Sequence, residues 1–149
     1  MLKKHIKYED FNGNAREEDY LFNLTKSEIM AMNMEYDGGL VELLESISSK
    51  MDIPKMLEII KRLILDSYGE KSLDGKRFEK PETKKREFEQ SAAYDALFME
   101  LMTDGNAAAQ FINGIVPKDI ASEAAKAAAN DPKLANLQSV PANLQSAAN

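Results

Sequence analysis

Asp52-Ile53-Pro54-Lys55-Met56-Leu57-Glu58-Ile59-Ile60-Lys61-Arg62-Leu63-Ile64-Leu65-Asp66-Ser67-Tyr68-Gly69 is the segment around which the rest of the chain organises. Ile53, Met56, Leu57, Ile60, Leu63, Ile64 and Tyr68 recur at helical spacing, with Lys55, Glu58, Lys61, Arg62 and Asp66 on the other side. Asp52 is suited to cap the first turn. Pro54 is tolerated there because those amides have no intrahelical acceptor. The pattern predicts a core helix that stops at Gly69, taken as the left-handed residue after the helix.

Upstream, Asn12-Gly13 is a strong two-residue hairpin signal, since both turn positions need positive φ. That turn would place Glu9 opposite Arg16 and Lys7 opposite Glu18, two cross-strand charge pairs in one register. Tyr20, Phe22 and Leu24 then alternate as in a half-buried strand, with an irregular charged arm as the alternative. A lone hairpin is marginal and has to pack on the helices or pair with another chain. Thr25-Lys26-Ser27-Glu28 reads as a capping box. The helix it opens ends near Asp37-Gly38-Gly39. A second spans Leu40 to Ser49, with Leu40, Leu43, Leu44 and Ile47 on one face.

Downstream, residues 69–81 hold the tight-turn pair Asp74-Gly75 and form a small ribbon or an ordered loop. Pro81 opens a charged helix, Glu82 to Gln90, and Ser91 caps a continuation or marks a change of phase. Another helix begins at Thr103 or Asp104 and is closed by Gly114. Beyond Pro117 the chain turns to Ala, Asn, Ser and Gln, with alanine-driven helix expected over Asp119 to Ala129. The end repeats itself, Ala135-Asn136-Leu137-Gln138-Ser139 and Ala142-Asn143-Leu144-Gln145-Ser146, and buries too little apolar surface to order alone. The predicted fold is mainly α: a small helical domain with an N-terminal β-hairpin and a disordered Ala/Asn/Gln-rich C-terminal tail. The expected bounds are 1–24 for the hairpin arm packed on the domain, 25–130 for the helical domain and 131–149 for a flexible tail.

With 149 residues there is room for one ordinary core. A net charge of −6 and a pI near 4.9 argue against a general nucleic-acid binder, whose footprint is a basic face. Cysteine is absent, which removes disulfides and thiolate chemistry. No apolar run reaches membrane-spanning length, and Met1-Leu2-Lys3-Lys4-His5 lacks the apolar stretch of a secretory signal. A soluble intracellular protein is expected. His5 is the sole histidine and has no nucleophile beside it in any recognisable motif. Glu17-Glu18-Asp19 and Asp74 do not fit a calcium-loop spacing, and the glycines form neither a P-loop nor a dinucleotide fingerprint. No catalytic, cofactor-binding or metal-ligating residue is nominated, and no cofactor is expected.

What remains is contact surface. Lys71, Lys76, Arg77, Lys80, Lys84, Lys85 and Arg86 form a basic cluster interleaved with acids, either a solvated ion-paired face or a contact for an acidic protein. Met30, Met32 and Met34 crowd one helix: Ile29, Met32 and Tyr36 share a face, while Met30 and Met34 form an adjacent one. Methionine fills cores and also adapts to irregular partners. The candidate protein-binding residues are therefore Met30, Met34, Lys76, Arg77 and Phe78.

An ordered series of short elements carries a family likeness. It comprises Phe11-Asn12-Gly13-Asn14, Tyr20-Leu21-Phe22-Asn23-Leu24-Thr25, Glu35-Tyr36-Asp37-Gly38-Gly39, the block Tyr68 to Lys80, Phe88-Glu89, Tyr94, Leu97-Phe98, and Phe111 to Pro117. Over Tyr8 to Pro117 the chain resembles the small tail assembly chaperones of long, non-contractile-tailed bacteriophages, in their short, non-frameshifted form. The resemblance implies a non-enzymatic protein that coats a tape-measure protein in multiple copies, keeps it soluble and helps recruit tail-tube subunits. It implies the tape-measure and tail-tube proteins as partners, with self-association a further option and no nucleic acid or membrane. It also implies action in the cytoplasm of the infected bacterial host and absence from the mature virion. A stably bound protein adaptor of a phage particle or of host takeover is the alternative.

Overall fold

A computed structural model describes residues 1–118, of which ten segments are regular. These are β1 (Leu2–Glu9), β2 (Ala15–Phe22), α1 (Lys26–Glu35), α2 (Gly39–Lys50), α3 (Ile53–Ser67), β3 (Tyr68–Lys71), β4 (Phe78–Glu79), α4 (Glu82–Glu89), α5 (Ala92–Thr103) and α6 (Gly105–Ile115). The mainly helical class and the N-terminal hairpin are thus as expected, and the hairpin extends into a four-stranded antiparallel sheet in the order β1-β2-β3-β4. The helix expected over 119–129 and the tail over 131–149 lie outside the described residues. The chain divides into two compact units, one built from residues 1–24 and 57–115 and the other on residues 25–56.

The first unit owes its order to rings and aliphatic side chains drawn from distant segments. Phe22, Leu24, Leu63, Ile64, Leu97 and Ile115 are essentially inaccessible to solvent. Around Phe22, the Tyr68 and Phe88 rings stack with centroids 4.4 Å apart, and Phe111 meets Phe22 edge-on at 5.2 Å. Such ring pairs add about 0.5–1.5 kcal/mol each beyond the area they bury. The irregular residues after β2 are tied down by backbone bonds, from the Asn23 N–H to Ser67 O and from the Leu24 N–H to Ile115 O, both 2.7 Å. Lys80 Nζ donates to Asn23 O at 2.7 Å and Asp66 O at 2.9 Å, so this lysine of the basic cluster pins the ends of β2 and α3 to β4.

The hairpin register differs from the expected one by a single residue. Lys7 lies opposite Glu17 and Tyr8 opposite Arg16, while Glu9 faces Ala15. The cause is the turn. Asp10 Oδ1 accepts the Asn12 and Asn14 N–H groups, both at 2.9 Å, and Asp10 Oδ2 takes Arg16 Nε at 2.7 Å. This closes a three-residue loop in which Gly13 alone has positive φ (81°), the arrangement of a type I turn followed by a left-handed glycine. A slip of one residue exchanges the faces of a strand. Accordingly Leu2, Ile6 and Phe22 turn inward, and Lys3, His5, Lys7, Glu17 and Asp19 turn to solvent.

Two glycines also act differently from expectation. Gly69 does not sit in a left-handed turn: it is extended within β3, and Tyr68 is already strand. A Cβ at Gly69 would come within 2.7 Å of the Phe78 ring and 2.9 Å of Glu79 O, so the β3–β4 pairing needs the missing side chain. Gly114 does not end α6 but lies within it, where a Cβ would meet the Leu2 side chain at 2.9 Å. On α3 the buried face is Ile59, Ile60, Leu63, Ile64 and Ser67, and the expected stripe residues Ile53 and Leu57 are exposed.

The second unit is simpler. Thr25 and Glu28 form the capping box: Thr25 Oγ1 accepts the Glu28 N–H at 3.3 Å, and Glu28 Oε2 accepts the Thr25 N–H at 2.8 Å. Asn33 Oδ1 takes the Leu40 N–H at 2.9 Å, satisfying a free amide in the first turn of α2. Ile29, Met32, Leu40 and Ile47 are buried.

Candidate functional site

The candidate contact residues fall in two places. Met30 and Met34 lie four residues apart on α1 and are 66% and 83% exposed, whereas Met32 and Ile29 are buried. The helix is therefore apolar on two sides, and residues four apart stand one above the other on its surface. Val41, Met51 and Ile53 of the same unit are also exposed, an apolar set that helical spacing did not nominate. Met51 ends α2 in the left-handed conformation (φ 53°, ψ 42°), a position where glycine is the usual residue.

Lys76, Arg77 and Phe78 lie on the turn between β3 and β4. The Lys76 N–H donates to Asp74 Oδ1 at 3.0 Å and the Arg77 N–H to Ser72 Oγ at 3.0 Å. The buried Ser72 hydroxyl donates in turn to Asp74 Oδ1 at 2.6 Å, which holds the Asp74 carboxyl below its usual range, the Lys76 N–H helping. The Arg77 guanidinium bonds Glu79 at 2.9 Å. Phe78 is half-buried, with its ring over Gly69 and Lys80 Nζ 5.7 Å from its centroid. Most of the basic cluster is paired: Lys84 with Glu70 and Glu87, and Lys85 with Asp66 and Glu82, all at 3.5–3.8 Å. Lys71 and Lys76 have no ion-pair partner among the described residues. A shallow depression of about 400 Å³ is lined by Lys71, Ser72, Leu73, Asp74, Arg77 and Glu79.

Two side chains escaped the sequence reading. Phe11 (85% exposed) and Leu73 (fully exposed) sit at the tips of the two hairpins. The signal was present: Asp10-Phe11-Asn12-Gly13 and Ser72-Leu73-Asp74-Gly75 repeat one pattern, an oxygen-bearing residue, an apolar one, Asn or Asp, then Gly.

The hairpin acids are occupied locally. Glu18 accepts from the Tyr8 and Tyr20 hydroxyls at 2.6 and 2.7 Å. Burial, then Glu18, raises the Tyr20 phenol, and burial pushes Tyr68 up to about 12. His5 lies between Glu17 (3.0 Å) and Asp19 (2.8 Å), hydrogen bonds that raise its pKa. The Asn14 N–H, with the Arg16 guanidinium second, lowers Asp10 to about 2. These shifts belong to turns and strand pairs that hold the hairpin together.

The chain belongs to the phage tail assembly chaperone family, whose model matches residues 1–148. No curated protein and no solved structure matches it. No helix among the described residues is long and apolar enough to cross a membrane.

Proposed function

We propose that this chaperone binds a tape-measure protein in multiple copies, keeps it soluble while the tail is built, and helps recruit tail-tube subunits around it. In this reading it acts in the cytoplasm of the infected bacterial host, turns over no substrate, and leaves before the particle is complete. The observation that carries the reading beyond family membership is the exposed Met30–Met34 pair on α1. A long helical client exposes apolar stripes that aggregate, and adaptable thioethers one turn apart suit such a stripe. Each contact is weak and displaceable, but repetition along one client gives high occupancy.

Co-expression tests it. The wild-type chain should convert the insoluble tape-measure protein of its own phage into a soluble complex carrying several copies of the chaperone. Met30→Asp with Met34→Asp should reduce that soluble yield severalfold while leaving the circular dichroism spectrum unchanged. A folded wild-type chain that neither binds nor solubilises the client, and that stays at fixed stoichiometry in purified particles, would instead be an adaptor.

A further inference from the structure

The surface of α1 and α2 carries charge of one sign around its apolar residues. Residues 27–49 hold five carboxylates (Glu28, Glu35, Asp37, Glu42 and Glu45) and no Lys or Arg. Glu35, Asp37 and Glu42 are exposed, as are Met30, Met34 and Val41. Met30 and Met34 form a row on α1 that Lys26 opens one turn earlier, and the exposed carboxylates follow its other end. That end is also the negative end of the α1 dipole, where cations are the favoured side chains. The last turn of α1 nevertheless has no basic residue, and its final residue is Glu35. The Glu42 carboxylate folds back over Gly38, the residue after Asp37. Asp37 and Glu42 have no ion-pair partner among the described residues.

We propose that the client segment seated on this surface is an amphipathic helix whose apolar stripe is bordered by Lys or Arg. The stripe packs on Met30 and Met34, and its cations lie by Asp37 and Glu42 at the C-terminal end of α1. The proposal rests on the client-binding reading for the use of this surface and adds the chemistry of what is bound there. The two contacts divide the work. Thioethers adapt to many apolar stripes and so discriminate little between them. Charge does the selecting: a basic border meets complementary carboxylates, whereas an acidic one meets like charge and is rejected.

Two synthetic amphipathic helices with the same leucine stripe, bordered by Lys in one and by Glu in the other, test the contact. Fluorescence anisotropy on the purified full-length chain should show the Lys-bordered helix binding roughly tenfold more tightly, the size expected of a few exposed charge contacts. High salt should shrink that margin. Asp37→Asn/Glu42→Gln should cut the margin severalfold. Glu9→Gln/Asp95→Asn removes the same charge from exposed positions of the first unit and should leave the margin as in the wild type. Met30→Gln/Met34→Gln should weaken binding of the Lys-bordered helix severalfold. Every replaced side chain is exposed, so all three variants should keep the wild-type circular dichroism spectrum. Equal or reversed affinity for the two helices would overturn the proposal, as would a margin that falls alike in both charge variants or binding untouched by the methionine changes. Binding of neither helix, the result if another copy covers the face, would overturn it too. A chain that gives any of these results yet solubilises the tape-measure protein keeps the client reading and loses only this inference. One that selects the Lys-bordered helix through Asp37 and Glu42 but solubilises no client loses the client reading instead.

Discussion

The two units of this chaperone spend their apolar residues in opposite ways. In the first, Tyr20, Phe22, Tyr68, Phe88 and Phe111 converge on one ring cluster, and Leu63, Ile64 and Leu97 are shut from water. In the second, residues 25–56 include a single aromatic, Tyr36, and Met30, Met34, Val41, Met51 and Ile53 stay exposed. Burial of rings fixes a unique arrangement, whereas exposed unbranched and aliphatic side chains leave a surface that can remould. The second unit is therefore the proposed contact surface, while the first, apart from Phe11 and Leu73 at its hairpin tips, spends most of its rings on the core.

The sharpest way to break that division is to truncate one residue of each kind. Leu63→Ala removes a side chain only 1% exposed and should cost about 2–5 kcal/mol in a denaturant titration. Met34→Ala removes one that is 83% exposed and should change stability by no more than about 0.5 kcal/mol. Comparable losses at the two positions would mean that α1 is core after all.

How far the sequence reveals this division depends on the distance over which each feature is determined. The capping box Thr25–Glu28, the Ser91 cap that accepts the Tyr94 N–H, and the helices α2 to α6 are local, and their residue patterns show them. The hairpin register hangs on one side chain, Asp10, whose bonds to Asn12, Asn14 and Arg16 override the Asn12-Gly13 turn signal. Gly69 and Lys80 owe their roles to Phe78, Glu79, Asn23 and Asp66, partners that only the folded chain brings near. At the candidate site, helical spacing already sets Met30 and Met34 on a different face from Met32, and the structure adds that theirs is the exposed one. Phe78 is half-buried, while Leu73, five residues earlier, is fully exposed, a difference that their local sequence does not reveal.

A smaller effect of opposite sign sharpens the picture of the second unit. Met51 holds φ 53° as a non-glycine residue, and left-handed backbone costs an L-residue roughly 1–2 kcal/mol. Met51→Gly removes that strain but adds freedom to the unfolded chain, leaving a net gain of about 0.5–1 kcal/mol. Thermal melting should show a modest rise. If Met51 also belongs to the contact face, the stabilised variant should bind its partners less well. A stabilised chain with undiminished binding would confine the contact to α1 and the start of α2.

The smallest effect lies on the solvent face of the hairpin. His5 sits between Glu17 and Asp19, and its pKa is raised above the usual 6.5, first by the Glu17 hydrogen bond and then by Asp19. The Glu17 pKa is lowered from 4.5, first by His5 and then by Lys7. A raised histidine contributes stability that is complete below its unfolded pKa and is lost as pH rises through the folded value. A lowered glutamate contributes above its unfolded pKa and loses that contribution as pH falls through the folded one. The two conditions overlap between about pH 4.5 and 6.5, so the hairpin is held best there and loosens toward neutrality as His5 gives up its proton. Because these groups are exposed, salt screens the effect, and the melting temperature should respond only slightly. NMR gives the more sensitive reading: the His5 ring should titrate above pH 6.5, and Glu17→Gln with Asp19→Asn should bring it back to that value. A His5 titration unmoved by that double substitution would show that the carboxylates do not hold the ring in solution. The same spectra should show Phe22 and Phe88 signals indifferent to pH, since neither ring lies on the face where these charges meet.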